Sequence, residues 1–184
     1  MKILIVAHLD DEIIWFNPTT FDKIIICFPF RRVETKRIDF NEKIYRVFQR
    51  HPLRNKMELL GLTSGEYWRK ATDFEQFMLY VDKKNLTRLL FDDIVNQASL
   101  IFTHNEWGEY GHSDHQVVHE VVKKLSKVPI YCFNGVKPLF TGSTFPINMD
   151  LEVFKRIKNL YLSEDIWTWE KDFQISPVQK YFRV

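Results

Sequence analysis

Residues 2–7, apolar after Lys2 and rich in β-branched side chains, have the pattern of a strand buried on both faces of a parallel sheet. The run stops at His8. Residues 23–28 repeat the pattern and Pro29 closes it, predicting a second buried strand. About fifteen residues with Pro18 among them separate the two, so the crossover has room for a short helix at most. Residues 34–50 are charged, with apolar positions at Ile38, Ile44, Tyr45 and Phe48, and predict an amphipathic helix that stops before Pro52. Residues 56–60 predict a third strand, ended by Gly61.

Residues 62–80 are irregular and aromatic, which suggests a surface loop carrying short helical turns and a candidate substrate wall. Helical spacing resumes over residues 85–97 through Leu86, Leu89, Leu90, Phe91 and Ile94, and residues 99–103 predict a fourth strand followed at once by His104. Asp114 is placed to cap a helix running to Lys124, with Val117, Val118, Val121, Val122 and Leu125 on one face. Residues 128–133 then predict a fifth strand, and residues 150–172 a further helix. This alternation predicts a Rossmann-like α/β fold: a mostly parallel sheet flanked by helices, with its ligand site at the carboxyl ends of the strands. No repeat, low-complexity tract or linker divides the 184 residues, too few for two comfortable cores, so a single domain over 1–184 is expected.

Composition narrows the classes. Hydrophobic residues at 45% and charged residues at 27% fit a soluble globular chain rather than a disordered or membrane one. The 26 basic and 24 acidic residues are mixed along the sequence, leaving no broad field to attract nucleic acid or anionic lipid. No apolar stretch approaches the roughly 20 residues of a membrane helix. The apolar run before His8 is too short for a signal-peptide core, so a cytoplasmic location is expected, with Cys27 and Cys132 as buried, reduced core thiols. Nothing in the sequence indicates an oligomeric state.

Two polar segments stand out against this background. Ala7-His8-Leu9-Asp10-Asp11-Glu12 sets one imidazole and two adjacent carboxylates directly after a stiff, buried strand. Neighbouring carboxylates point apart, so one of Asp10 and Asp11 can bind a metal while the other faces its water. The second segment, residues 104–115, offers His104, Glu106, Glu109, His112, Asp114 and His115, with Gly108 and Gly111 letting the backbone turn tightly. Both segments follow predicted strands and converge on one sheet edge from about a hundred residues apart. Two histidines, one aspartate and an open fourth position are the usual composition of a catalytic zinc site. Alone, an Asp-Asp-Glu after a strand is more simply a helix start; the second cluster at the same edge changes that balance.

His8-Leu9-Asp10-Asp11-Glu12 resembles the His-Pro-Asp-Asp-Glu motif of the LmbE-like (GlcNAc-PI de-N-acetylase, PIG-L) zinc deacetylases, and residues 110–115, Tyr-Gly-His-Ser-Asp-His, resemble their second motif. The resemblance spans about residues 1–134 and leaves 135–184 unassigned. It implies one Zn²⁺, or another divalent metal, held by His8, Asp11 and His115, with Asp10 as general base. It further implies that His112 stabilises the oxyanion or protonates the leaving amine, that Asp114 orients and charges His112, and that Tyr110 contacts the acyl oxygen. The implied reaction is hydrolysis of an N-acetyl group on an amino sugar or sugar conjugate. A metal-dependent phosphoesterase or other amidohydrolase, and a metal- or ligand-binding module without turnover, are the alternatives. Leu9 stands where the family has proline, the first crossover lacks the family's glycine-rich turn and full helix, and the chain is shorter than its typical members.

The remaining polar and aromatic residues carry weaker expectations. Arg31 and Arg32 follow the second strand and reach either a substrate anion or solvent. Trp107 and the pair Tyr67-Trp68 can stack on a sugar ring, although core packing is the commoner role of aromatics. His104 either lines the pocket or bonds backbone, Glu12 is expected to be structural, His119 to lie near the polar side of its helix, and His51 to be a solvent-facing turn residue.

Overall fold

The structure, a computed structural model, describes residues 1–31, 38–64, 83–90, 95–135 and 143–184. Its centre is β1 (Lys2–Val6), which pairs in parallel with β2 (Lys23–Ile26) on one side and with β6 (Leu100–Thr103) on the other. Outside β2 lies β4 (Met57–Leu59), and outside β6 lies β7 (Ile130–Phe133), both parallel. The far edge is antiparallel: β9 (Val178–Arg183) runs against β7, and β8 (Phe145–Asn148) against β9. A separate parallel pair, β3 (Phe30–Arg31) with β5 (Thr63–Ser64), sets Arg31 opposite Ser64.

Because strand side chains alternate, β1 feeds two cores. Leu4 and Val6 pack with Phe21, Ile24, Ile26 and, from α2 (Ile38–Arg50) and α6 (Leu151–Ser163), Ile44, Val47, Phe154, Ile157 and Tyr161. Ile3, Ile5 and Ala7 pack on the opposite face with Cys27, with Leu86 and Leu90 of helical residues 83–90 (α3), and with the valine face of α5 (Ser113–Leu125). A register slip of one residue would exchange these two sets, so the pattern fixes the pairing. The chain leaves β1 towards β2 and later returns beside it as β6, making the carboxyl end of β1 the switch point where such sheets bind ligands.

Several expectations are refined. The crossover after β1 holds only the four-residue α1 (Asp11–Ile14) and a 3₁₀ turn at Pro18–Thr20. The helix expected over 34–50 is seen from Ile38, residues 34–37 lying outside the described residues, as do 65–80 of the expected loop, Tyr67 and Trp68 included. Of the helix expected over 85–97, residues 83–90 are helical, 91–94 lie outside the described residues, and Val95–Gln97 is a 3₁₀ turn. The helix expected over 150–172 ends at Ser163, because Asp165 takes a left-handed conformation (φ 55) and the N–H of Ile166 turns back to Tyr161 O. The two antiparallel strands β8 and β9 go beyond the five strands expected from the sequence; Pro146 suits β8, which sits at the sheet edge. His51 is buried rather than solvent-facing, its Nδ1 accepting from the Leu53 N–H and its Nε2 lying 3.5 Å from Glu12. His119 is likewise buried and donates from Nδ1 to His104 O. Both cysteines are buried free thiols. Among the described residues no helix is long and apolar enough to cross a membrane.

Candidate metal centre

The chain leaving β1 turns sharply into α1, and the backbone N–H of His8 donates to Asp11 Oδ2 at 2.7 Å. The Trp15 indole N–H holds the other carboxylate oxygen at 3.1 Å, so Asp11 is fixed at both ends. After β6, Asn105 Oδ1 accepts from the N–H groups of Trp107 and Glu109, folding the chain into the tight turn α4 (Gly108–Gly111). Gly108 makes this turn possible: its φ is +64, and a Cβ there would stand 3.0 Å from Gln116 and 3.4 Å from His115. His112 then starts α5, its Nδ1 accepting the Asp114 N–H. The helix cap is therefore His112, not Asp114 as its residue type suggested, because the Asp114 carboxylate is engaged elsewhere.

Three donor atoms converge at the end of β1. His8 Nδ1 lies 3.3 Å from His115 Nε2 and 3.5 Å from Asp11 Oδ2, and His115 Nε2 lies 3.4 Å from Asp11 Oδ2. A tetrahedral zinc about 2.0–2.1 Å from its ligands holds them roughly 3.3–3.4 Å apart, so this triangle fits one such ion with a fourth position open. The outer nitrogens agree. His8 Nε2 donates to Asp114 Oδ2 at 3.1 Å and His115 Nδ1 to Glu109 Oε2 at 2.6 Å, which leaves a lone pair on each inward-facing nitrogen. Two overlapping sets, His8/His112/His115 and Asp11/His104/His115, are also compact. They fit less well. His104 uses Nε2 to accept the Ala7 N–H and Nδ1 to donate to Glu109, and His112 would have to give up the Asp114 N–H or become an imidazolate.

This bonding corrects one expected relationship. The Asp114 carboxylate serves His8, its Oδ2 accepting from His8 and from the Ser64 hydroxyl at 2.6 Å, and Asp114 reaches the His112 ring through its backbone N–H. His112 is not charged by that carboxylate. Burial, together with His8 and His115, lowers His112 to about 3, and with Nδ1 accepting a backbone N–H the ring carries its proton on Nε2. Burial opposes the charge of Asp114, but the His8 hydrogen bond and the neighbouring imidazoles bring it to about 2; Glu109, opposed by burial and favoured by His104 and His115, also falls to about 2. Burial also opposes a charged His8, yet Asp11 and Asp114 outweigh it and raise the imidazole to about 10, so without a metal its proton supplies the local positive charge. Burial keeps His115 below its ordinary value despite Asp11. Asp10 is pushed up to about 8 by burial and by Asp11, against the hydrogen bond from Thr168.

A cavity of about 630 Å³ opens over the donors. Its lining is mixed, with His8, Asp10, Asp11, Ser64, Tyr110, His112 and Thr168 among the polar residues and Leu9, Phe28, Phe40, Ile44, Ile166 and Trp169 among the apolar ones. Arg31 lines it with its guanidinium 4.1 Å from the Phe40 ring centre. Tyr110 packs edge-on to His112 and His115; burial and the nearby carboxylates raise its phenol above the ordinary value and keep it protonated. Trp107 does not line the cavity: it packs against the core and the Phe182 ring. His104 is wholly buried beneath His115, its ring stacked at 3.8 Å. Arg32 lies outside the described residues.

Ser64 and Thr168 escaped the sequence analysis, and Glu109 was named there without a role. Only Glu109 had a signal, an acid six residues before His115 between two glycines; the other two arrive from distant segments that no local spacing reveals.

A sequence model of the GlcNAc-PI de-N-acetylase (PIG-L) family matches residues 3–126. An uncharacterized protein of Acanthamoeba polyphaga mimivirus is 25% identical over 172 residues, covering 89% of this chain and 72% of that protein. Among solved structures, a deacetylase–teicoplanin complex from the teicoplanin biosynthesis pathway superposes with a TM-score of 0.62 at 8% identity, covering 100% of this chain and 98% of that one. An antimicrobial-reagent pseudoaglycone deacetylase gives a TM-score of 0.64 at 10% identity, covering 98% and 95%. At such identities these structures speak for the fold.

Proposed function

Since this chain belongs to the GlcNAc-PI de-N-acetylase family, we propose that it is a metal-dependent N-deacetylase hydrolysing the acetamide of an N-acetylated amino sugar or sugar conjugate. The observation that carries this is the 3.3–3.5 Å triangle of His8 Nδ1, Asp11 Oδ2 and His115 Nε2 beneath a cavity holding a further carboxylate, Asp10. Those three residues would hold a zinc or similar divalent ion, which when bound makes a water acidic near neutral pH and polarises the substrate carbonyl.

The protein's own groups complete the reaction. Asp10, in its ionised form, takes a proton from the water as its oxygen attacks the carbonyl carbon. His112, protonated on Nε2, donates a hydrogen bond to the carbonyl oxygen as that oxygen gains charge, and Tyr110, which lines the same cavity, offers a second. Of the two roles open to His112, oxyanion stabilisation fits its bonding, since losing the Nε2 proton would leave an imidazolate. The proton held by Asp10 passes to the nitrogen as the C–N bond breaks, giving acetate and the free amine.

The test is zinc-loaded protein against a panel of N-acetylated sugars, read as free amine released, alongside Asp10→Ala and His115→Ala. Turnover by wild type that both substitutions abolish is expected; turnover surviving both would defeat the mechanism. Asp10→Asn should keep the metal and lower kcat about 10²–10⁴-fold, because it removes the base and spares the ligands.

A further inference from the structure

The segment between α6 and β9 lies outside the family match and reaches back over the site. Its Thr168 Oγ1 donates to Asp10 Oδ2 at 2.5 Å, across 158 residues of sequence. The hydroxyl has little freedom, because the residues around it are fixed. Ile166 is buried, and its N–H is held by Tyr161 O. Trp167 stacks on Tyr161 and donates from its indole to Glu170 O. On the other side, Trp169 packs edge-on against Trp15 and Tyr110 and lies against Phe173. The turn itself is tied to α2, where Arg46 and Arg50 both bind Glu164 and Lys43 reaches Asp165.

Asp10 needs such help. Its backbone carbonyl starts α1, accepting from Ile13 and Ile14, but no side-chain bond to its own helix steadies the carboxylate. We propose that Thr168 is a positioning residue for Asp10, fixing the carboxylate by its Oδ2 so that proton transfer falls to Oδ1. This rests on the assignment of Asp10 as the base. The C-terminal segment thereby completes the catalytic apparatus that the two motifs begin, and a chain lacking it would keep the metal ligands and lose alignment of the base. Alignment is a matter of rate: a base swinging between rotamers is in place for only part of each encounter, while substrate and metal still bind.

The experiment uses zinc-loaded full-length protein with N-acetylglucosamine and its glycosides as probes, comparing wild type, Thr168→Val, Thr168→Ser, Asp10→Asn and the Asp10→Asn/Thr168→Val double variant. Thr168→Val should lower kcat about tenfold with KM and zinc content unchanged, Thr168→Ser should restore it, and the double variant should be no slower than Asp10→Asn alone. Full kcat in Thr168→Val beside an inactive Asp10→Asn would overturn the positioning role alone, whereas an active Asp10→Asn would overturn the base assignment beneath it. A crystal structure of Thr168→Val supplies a readout independent of turnover: the Asp10 carboxylate should leave its wild-type rotamer, and a carboxylate unmoved would contradict the proposal.

Discussion

Glu109 Oε2 lies 2.6 Å from His115 Nδ1 and 2.9 Å from His104 Nδ1, so one buried carboxylate sets the tautomer of both imidazoles. On His115 it turns the Nε2 lone pair towards Asp11 and His8. On His104 it frees Nε2 to accept from Ala7, pinning the end of β1 to the loop after β6. Glu109→Gln keeps the shape and weakens both bonds. Zinc affinity, measured by competition with a chelating dye, should fall about 10–100-fold, and an unchanged affinity would show that Glu109 does not orient the ligand.

His112 separates two kinds of role. As an oxyanion donor it can be lost without loss of metal, so His112→Ala should lower kcat about 10²–10³-fold with one zinc still bound. Loss of the zinc in that variant, measured by elemental analysis, would make His112 a ligand instead.

The metal-free protein should lose stability as pH rises above neutrality. His8 is raised from 6.5 to about 10, so its contribution is complete below 6.5 and disappears as pH climbs towards 10. Asp10 is raised from 3.8 to about 8, so the folded state holds a proton the unfolded chain has released and loses relative stability from about pH 4 to 8. The two act in the same direction between pH 6.5 and 8. The midpoint of thermal unfolding should therefore fall across that interval without metal. With zinc the His8 part of the fall should vanish, because a divalent ion takes the place of the His8 proton, leaving a shallower fall from Asp10. Thermal melts at fixed ionic strength with and without zinc read both.

The part of this site that was legible in the sequence is the part built from contiguous residues. His8 and Asp11 follow a strand whose apolar pattern announces itself, and His115 sits in a motif bent by two glycines, so the three side chains that converge stand out along the sequence. The parallel core, β1 with β2, β6 and β7, was legible for the same reason, since strands buried inside the sheet read as apolar runs. Asp114 could not be assigned correctly: its residue type suits a helix cap, and only the turn that brings Ser64 and His8 to it shows why His112 caps instead. Thr168, β8 and β9 were illegible because short amphipathic strands and aromatic turns carry little periodicity and take their place from tertiary contacts.

Behind α1, the Glu12 carboxylate accepts from the Tyr161 hydroxyl in a fully buried contact, with His51 Nε2 3.5 Å from the same oxygen. Tyr161→Phe leaves that acid without its donor. It should destabilise the protein by about 2–3 kcal/mol, read as a lower denaturant midpoint at unchanged slope. A midpoint unaltered within error would mean that the hydroxyl contributes nothing to holding α6 against α1.

The most direct measurement is a crystal structure of the zinc-soaked protein with anomalous scattering recorded above and below the zinc edge. One zinc per chain should lie within about 2.0–2.2 Å of His8 Nδ1, Asp11 Oδ2 and His115 Nε2, with its remaining position facing the cavity. A zinc on other donors, or none where those three side chains meet, would contradict the assignment.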